Sequence, residues 1–170
     1  MDAGLLIARL IVGLAIAAHG AQKLFGWFGG HGLKGTAGFF EGLGFRPGVF
    51  FALAAGLGEL GGGLLTAAGF LGPVGPALII LVMLVAIFTV HWAHGFFAAS
   101  NGIELPLMYL TSALPLAFVG PGAYSLDARL GLIGRFDPAT AWMVIAAAVV
   151  MAVVNVVLRR VAPALIRTHG

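Results

Sequence analysis

A stretch of 44 residues, from Leu60 to Ile103, contains no Asp, Glu, Lys or Arg. As a single helix it would be about 66 Å long, or roughly two bilayer cores, because each helical residue adds about 1.5 Å. The stretch must therefore fold back once. Its internal turn signal is the Gly- and Pro-rich sequence Gly72–Pro76. This pattern predicts a hairpin of two membrane helices, at about residues 49–71 and about residues 74–97.

The composition agrees with a membrane protein. The chain is 61% hydrophobic and 9% charged, whereas a soluble domain carries about 25% charged residues. Three further apolar segments, at about residues 3–28, 105–122 and 139–158, bring the expected number of spans to five. The segment 105–122 contains three prolines, which predicts a kinked or partly re-entrant helix. The fold class is therefore an all-α polytopic membrane helix bundle.

The distribution of Lys and Arg predicts the orientation of the bundle, because positive residues accumulate on the cytoplasmic side. Five spans place the termini on opposite sides. One side collects Lys23, Lys34, Arg46, Arg159, Arg160 and Arg167, and the other has Arg129 and Arg135, with Arg9 near it. We therefore expect the N-terminus outside and the C-terminus inside. The positive residues are scattered along the chain, which argues against a nucleic-acid interface.

The sequence predicts a structure for the first connection between spans and solvent exposure for the fourth. In the first, at residues 29–48, an apolar stripe indicates a short interfacial helix. The stripe consists of Leu33, Ala37, Phe40 and Leu43. The fourth, at residues 123–138, is expected to be the main solvated segment. It contains Asp127, Arg129, Arg135 and Asp137.

Ionisable side chains inside membrane spans are costly and are candidates for function. His19 and Lys23 are one helical turn apart near the end of the first span. The third span ends on the same side with His91 and His94, and Glu59 lies about 15 Å deep in the second span, counted from that side. The third connection, with Asn101 and Glu104, is expected on the same side of the membrane. The predicted cluster in this leaflet is His19, Lys23, Glu59, His91, His94, Asn101 and Glu104.

Glu59 is the most informative member of this cluster. Unpaired in hydrocarbon, its carboxyl group would become protonated or pair with a cation such as Lys23. A role in a site and a structural ion pair are both open. The glycines Gly58 and Gly62 next to it have the spacing that lets helices approach closely.

Imidazole and ammonium donors beside aromatic residues suit a quinone head group, whose carbonyls accept hydrogen bonds and whose reduction consumes protons. The expected aromatic residues are Phe25, Trp27, Phe88, Trp92, Phe96 and Phe97. We assign Glu59 and His91 to catalysis. The predicted cofactor-binding residues are His19, Lys23, His94, Trp92, Asn101 and Glu104. Haem between His19 and His91 or His94, and a metal on the histidines and Glu59, are weaker alternatives. The absence of Cys excludes thiol chemistry.

Four motifs, in this order, resemble the DoxX family of small bacterial membrane proteins. They are His19–Gly26, Gly58–Gly63, His91–Glu104 and Gly120–Asp127. The resemblance implies a four-helix core over residues 1–127 in the bacterial cytoplasmic membrane. The remainder, residues 128–170, departs from this pattern with a connecting loop, a fifth helix and a basic tail. The motif positions carried over are His19, Lys23, Glu59, His91, Asn101, Glu104, Tyr124 and Asp127.

The resemblance also implies a link to quinone-dependent oxidoreduction, because relatives include the DoxD-type subunit of a thiosulfate:quinone oxidoreductase. The first functional hypothesis is therefore a quinone-interacting oxidoreductase or a subunit of a redox complex. The second is a non-catalytic accessory subunit of a respiratory or photosynthetic assembly, in contact with other subunits or with copies of itself. A transporter is less favoured, since no repeated pair of broken helices is present.

Overall fold

The computed structural model describes residues 1–159, and within them the chain forms helices connected by short loops. Arg160 and Arg167 of the predicted basic tail lie outside the described residues. The helices are α1 (Asp2–Phe25), α2 (Gly32–Gly42), α3 (Gly48–Ala68), α4 (Val74–Ala86), α5 (Glu104–Val119), α6 (Leu126–Arg129) and α7 (Pro138–Leu158). The predicted all-α fold class is confirmed.

Four helical segments of the described chain are long and apolar enough to cross a membrane. They are α1, α3, α7 and the segment Val74–His94, in which α4 continues into tighter and wider helical turns. The predicted span at 105–122 is instead the shorter helix α5, whose 16 residues extend about 24 Å. Pro106 lies in its first turn and Pro115 lies inside it, so both prolines are accommodated within one helix.

Contacts at the two ends of the bundle show how the helices alternate. At one end, the backbone N–H of Ala123 donates to Asp2 Oδ1 at 3.1 Å, so the end of α5 lies beside the start of α1. At the other end, Arg159 Nε donates to the carbonyl oxygen of Leu43 at 2.6 Å, so the end of α7 lies beside the loop after α2. The start of α1 and the end of α7 therefore lie at opposite ends of the bundle.

Helix α4 packs against three other helices, α3, α5 and α7. Half of the most apolar stretch of Val74–His94, which begins with α4, is buried. The main core contains side chains from α1, α4, α5 and α7, namely Ile16, Ile79, Ile80, Val82, Met83, Ala113, Ala117 and Ile145. Since α7 contributes to this core, the fifth apolar segment is an integral part of the bundle.

The predicted helix in the first connection is confirmed as α2. Its apolar stripe packs on α3 and on the following loop, with Ala37 and Phe40 buried against Phe45 and Ala52. Phe45 has no exposed surface. The loop after α2 is therefore anchored in a second apolar core.

Candidate functional site

Lys23 and Glu59 form an ion pair between α1 and α3. Lys23 Nζ donates to Glu59 Oε1 at 2.7 Å and to Oε2 at 2.5 Å. Glu59 is 3% exposed, while the side chain of Lys23 is 29% exposed. Of the two outcomes expected for Glu59, protonation or pairing with a cation such as Lys23, the structure shows the pairing. The ammonium group neutralises the carboxylate where an isolated charge would be expensive.

Close packing of α1 on α3 determines the position of this pair. A Cβ atom at Gly13 would lie 2.5 Å from the carbonyl oxygen of Gly63, and one at Gly20 would lie 2.7 Å from that of Gly56. Real Cβ atoms do not approach so closely, so only glycine allows the two backbones to touch here. The contact places Lys23 and Glu59 at the same level of the bundle.

A cavity of about 400 Å³ lies next to the ion pair. Its wall is mostly apolar and comes from α1, α2, α3, α4 and α7. The polar side chains of the wall belong to Lys23, Glu59, Thr89, His91 and Asn155. Such a volume is in the usual range for small-molecule sites, which combine apolar walls with a few polar groups.

The aromatic side chains of the cavity are Phe39, Phe40, Phe45 and Phe51. The ring centroids of Phe40 and Phe45 are 5.4 Å apart, and those of Phe45 and Phe51 are 4.9 Å apart. The aromatic residues expected at the site lie elsewhere, on the exposed surface: Phe25, Trp27, Phe88, Trp92, Phe96 and Phe97. None of these six side chains lines the cavity, because they lie at or after the ends of α1 and α4 and are exposed.

His91 lies at the cavity with a defined tautomer. It ends a wider helical turn, Ile87–His91, that follows α4, and its Nδ1 is 2.7 Å from the carbonyl oxygen of Asn101. A carbonyl oxygen only accepts, so Nδ1 carries the hydrogen. Nε2 is then the ring nitrogen that remains for contact with a ligand.

Helix α7 completes the wall of the cavity with Met151 and Asn155. Asn155 Nδ2 donates to the carbonyl oxygen of Met151 at 2.8 Å. Sequence analysis did not single out Asn155, although an amide inside an apolar span is itself a signal. The segment that departs from the four-helix pattern thus provides part of the site.

His19 does not line the cavity with Lys23. Its Nδ1 lies 3.1 Å from Gln22 Oε1, and its ring meets the edge of Tyr109 at 5.8 Å. Residues four apart on a helix are rotated by about 40°. That rotation leaves His19 exposed beside α5, while the long side chain of Lys23 reaches α3.

The remaining predicted residues organise the connection between α4 and α5. His94 Nδ1 hydrogen bonds with the carbonyl oxygen of Val90 at 2.8 Å, and Glu104 Oε2 accepts from the backbone N–H of Ala98 at 2.8 Å. Asn101 adopts a left-handed conformation with φ of 63°. Trp92 is 63% exposed and stacks on Phe88. None of the predicted residues His94, Trp92, Asn101 and Glu104 lines the cavity.

The change of helical period after α4 separates His91 from His94, although residues three apart share a face of a regular α-helix. The wider turn ends at His91 and a tighter turn covers Trp92–His94. The two imidazoles consequently bond to different carbonyl groups. Across residues 1–159, no three His, Asp or Glu side chains come together as a metal site.

A second buried charged cluster lies at the opposite end of the bundle. Asp127 has no exposed surface, and it accepts the backbone N–H groups of Leu71 at 3.0 Å and Gly72 at 2.8 Å. Arg9 is 3% exposed, donates through Nη2 to the carbonyl oxygen of Tyr124, and lies in the field of Asp127. The expectation that Asp127 belongs to a solvated segment was wrong, because its carboxylate satisfies the turn between α3 and α4.

The DoxX family model matches residues 4–92, just over half of the chain. The chain belongs to the DoxX family. No curated protein and no solved structure shows a significant match. The DoxX match includes Lys23, Glu59 and His91 but ends before α7. The family segment therefore contributes the charged residues of the cavity, and the DoxX chain adds Asn155 from outside it.

Proposed function

We propose that this DoxX protein is a quinone-interacting component of a redox system in the bacterial cytoplasmic membrane. The observation that carries the proposal is the Lys23–Glu59 ion pair beside an apolar cavity that His91 also lines. An isolated structural ion pair needs no adjoining space. A pair that opens on a cavity is arranged to meet a ligand.

The cavity suits a flat aromatic ring. Its volume of about 400 Å³ accommodates a substituted benzoquinone head group, and its aromatic side chains offer ring faces for stacking. Phe45 is central to this wall because it contacts both Phe40 and Phe51. The isoprenoid tail of a quinone matches the lipid environment of the helices.

The polar residues of the wall support proton exchange at the ring oxygens. Reduction of a quinone to a quinol takes up two electrons and two protons. Lys23 and Glu59 form one proton-exchanging pair, and His91 Nε2 is a second proton-accepting group. The electrons come from a separate donor protein or substrate, which is the partner that this proposal implies.

Binding measurements on the purified protein in mild detergent test the proposal. We expect a short-chain ubiquinone or menaquinone analogue to bind with a Kd that Glu59→Gln and His91→Ala each raise about tenfold, the effect of one lost polar contact. His94→Ala is the matched control, since it removes the same side chain one turn away, where it does not line the cavity. We expect it to leave the Kd unchanged.

Unchanged binding and turnover in both Glu59→Gln and His91→Ala would overturn the proposal. Failure of the native protein to bind any quinone analogue would do the same. Either result would favour the accessory-subunit hypothesis, for which retention of stoichiometric partner proteins during mild purification is the corresponding measurement.

A further inference from the structure

The cavity beside the ion pair is long as well as large. Leu78 and His91 both line it, and at about 1.5 Å per residue these two positions are about 20 Å apart along a helix. The cavity therefore follows much of the membrane-crossing segment Val74–His94. A single quinone ring is much shorter than this, so a ring alone leaves part of the length unfilled.

Helices α3 and α7 form the sides of the cavity. Both pack on α4, and the main contacts of α7 are with α4. The lining residues of α3 begin at Phe51 and end at Glu59, and those of α7 are Met151 and Asn155. The cavity is therefore a groove on the surface of α4, between two helices that pack on it.

The rim of the groove is exposed. Three of the lining residues, Phe39 of α2, Ala54 of α3 and Met151 of α7, are also exposed residues of the bundle. The inner wall differs, because Glu59 and Phe45 are buried. Since α3 and α7 are both membrane-crossing helices, the rim between them faces the lipid chains.

The end of the groove near His91 is covered by α2 and the loop after it. Leu43 of that loop lines the cavity, and its carbonyl oxygen accepts the Nε–H of Arg159 at the end of α7. This hydrogen bond joins α7 to the loop across the end of the groove. The side of the groove is therefore a more direct way in than its end.

We infer that a ligand enters the cavity from the bilayer, between α3 and α7, and carries an apolar chain that lies in this groove. The inference rests on the proposed function and specifies the class of quinone that the site selects, one with a long chain. The ring lies beside the Lys23–Glu59 pair. The chain lies along apolar residues of α4 and α7, namely Leu78, Leu81, Val82, Val85 and Met151.

A chain that moves from the bilayer into this groove stays in an apolar environment, so the transfer itself adds little hydrophobic free energy. The fit of the chain between the helices then determines how tightly it binds, since packed side chains leave little room for a larger group. A bulky residue at the rim should consequently affect a ligand with a chain and spare one without it.

Binding to the full chain, reconstituted in phospholipid nanodiscs, tests the inference with two ligands that share one benzoquinone ring. One ligand carries a decyl chain and the other a methyl group in its place. We expect Met151→Trp to raise the Kd of the decyl compound about tenfold, which is the lower part of the range for overpacking a filled space. The Kd of the methyl compound should stay unchanged.

Val150→Trp is the matched control. Val150 is the neighbouring residue on α7 and is also exposed, but it does not line the cavity. Both compounds should bind this variant as they bind the native protein.

The outcomes separate this inference from the proposed function. Unchanged binding of the decyl compound to Met151→Trp would overturn the inference and leave the quinone site in place, with a bilayer lipid as the occupant of the groove. Equal weakening of both compounds would overturn it as well, because the groove would then hold the ring. Native protein that binds neither compound would overturn the proposed function too.

A second measurement needs no variant and applies even if Met151→Trp does not fold. A diazirine at the end of the decyl chain loses N₂ on illumination, and the carbene that remains inserts into a neighbouring bond. We expect mass spectrometry to find the adduct on groove residues such as Ala54 and Met151, and an excess of the unmodified decyl compound to suppress it. Labelling of Val150 as strong as that of Met151 would contradict the inference.

Discussion

The bundle contains two buried charged clusters, one at each end, and they satisfy their carboxylates in different ways. Glu59 is held by the ammonium group of Lys23 and adjoins a cavity of about 400 Å³. Asp127 is held by two backbone N–H groups, and the space next to Arg9 is about 10 Å³, room for one water molecule at most. The first cluster borders empty space, whereas the second is filled by the protein itself.

The two kinds of hydrogen-bond donor give the two carboxylates different freedom to rearrange. Backbone donors cannot leave their carboxylate without unfolding a turn, so the cluster of Asp127 and Arg9 connects the α3–α4 turn to the segment after α5. A side-chain donor keeps rotational freedom, and Lys23 has one N–H group to spare. Similar burial of charge therefore connects two segments at one end and, in the function that we propose, meets a ligand at the other.

The largest effect is expected from removing the carboxylate of Asp127. Asp127→Ala leaves the backbone N–H groups of Leu71 and Gly72 buried without their partner and removes the carboxylate charge near Arg9, and we expect it to lower the free energy of unfolding by about 3–5 kcal/mol. Unfolding in mixed detergent micelles measures the loss. Arg129→Ala, at an exposed position of the same segment, is the control. Equal stability of the two variants would show that Asp127 does not hold the α3–α4 turn and the segment after α5 together.

A larger side chain should lower the stability of the protein at the end with Asp127 but not at the end with the cavity. A Cβ atom at Gly69 would overlap Arg9 Nη1 and lie 2.6 Å from Ser125 Cβ, at a φ of +63°. We expect Gly69→Ala to cost about 1–3 kcal/mol of stability.

Ala55→Leu extends into the cavity and should leave the unfolding transition unchanged while weakening ligand binding about tenfold, since it occupies ligand space without a compensating contact. Paired unfolding and binding measurements on both variants check the contrast. A strongly destabilised Ala55→Leu protein would show that the cavity end is packed as tightly as the other.

The ion pair at the cavity end is expected to show coupling of intermediate size. Lys23→Met leaves Glu59 uncompensated, and Glu59→Gln leaves Lys23 uncompensated, whereas the double variant removes both charges. The sum of the two single losses should exceed the loss measured in the double variant by about 1–2 kcal/mol. A double-mutant cycle on unfolding free energies measures this, and additive losses would contradict a direct pair.

The smallest expected effect concerns Asp137, an exposed carboxylate outside both clusters. Its Oδ1 accepts the Thr140 hydroxyl and backbone N–H, both at 2.7 Å, and these bonds lower the pKa of Asp137. The stabilisation of α7 by this cap is therefore present above the ordinary pKa of Asp and is lost as pH falls through the lowered value. We expect the unfolding temperature to decrease slightly at acidic pH. Asp137→Asn should make the unfolding temperature less dependent on pH.

The sequence predicts the helices well because length and hydropathy determine them locally. The depth of Glu59 predicted that its carboxyl group is either protonated or paired with a cation, and the tertiary structure shows that it pairs with Lys23. Helix α5 ends earlier than the predicted span 105–122. The backbone leaves the helical conformation at Gly120, where φ is +81°.

The cavity could not be predicted in the same way. Its aromatic wall depends on how α2 and the loop at Phe45 fold back onto α3, and the hydropathy pattern does not contain that information. Asp127 was misplaced for a related reason. Its neighbours in sequence are polar, but its partners Leu71 and Gly72 are more than fifty residues away, so only the tertiary fold shows its burial.

The position of α7 has a consequence for the biosynthesis of the protein. Every lining residue of the cavity other than Met151 and Asn155 precedes residue 92, so most of the wall leaves the ribosome long before the last helix. The nascent bundle therefore holds an unfinished cavity until α7 inserts. The complete wall therefore forms only when α7 has been synthesised and inserted, after the rest of the cavity residues are in place.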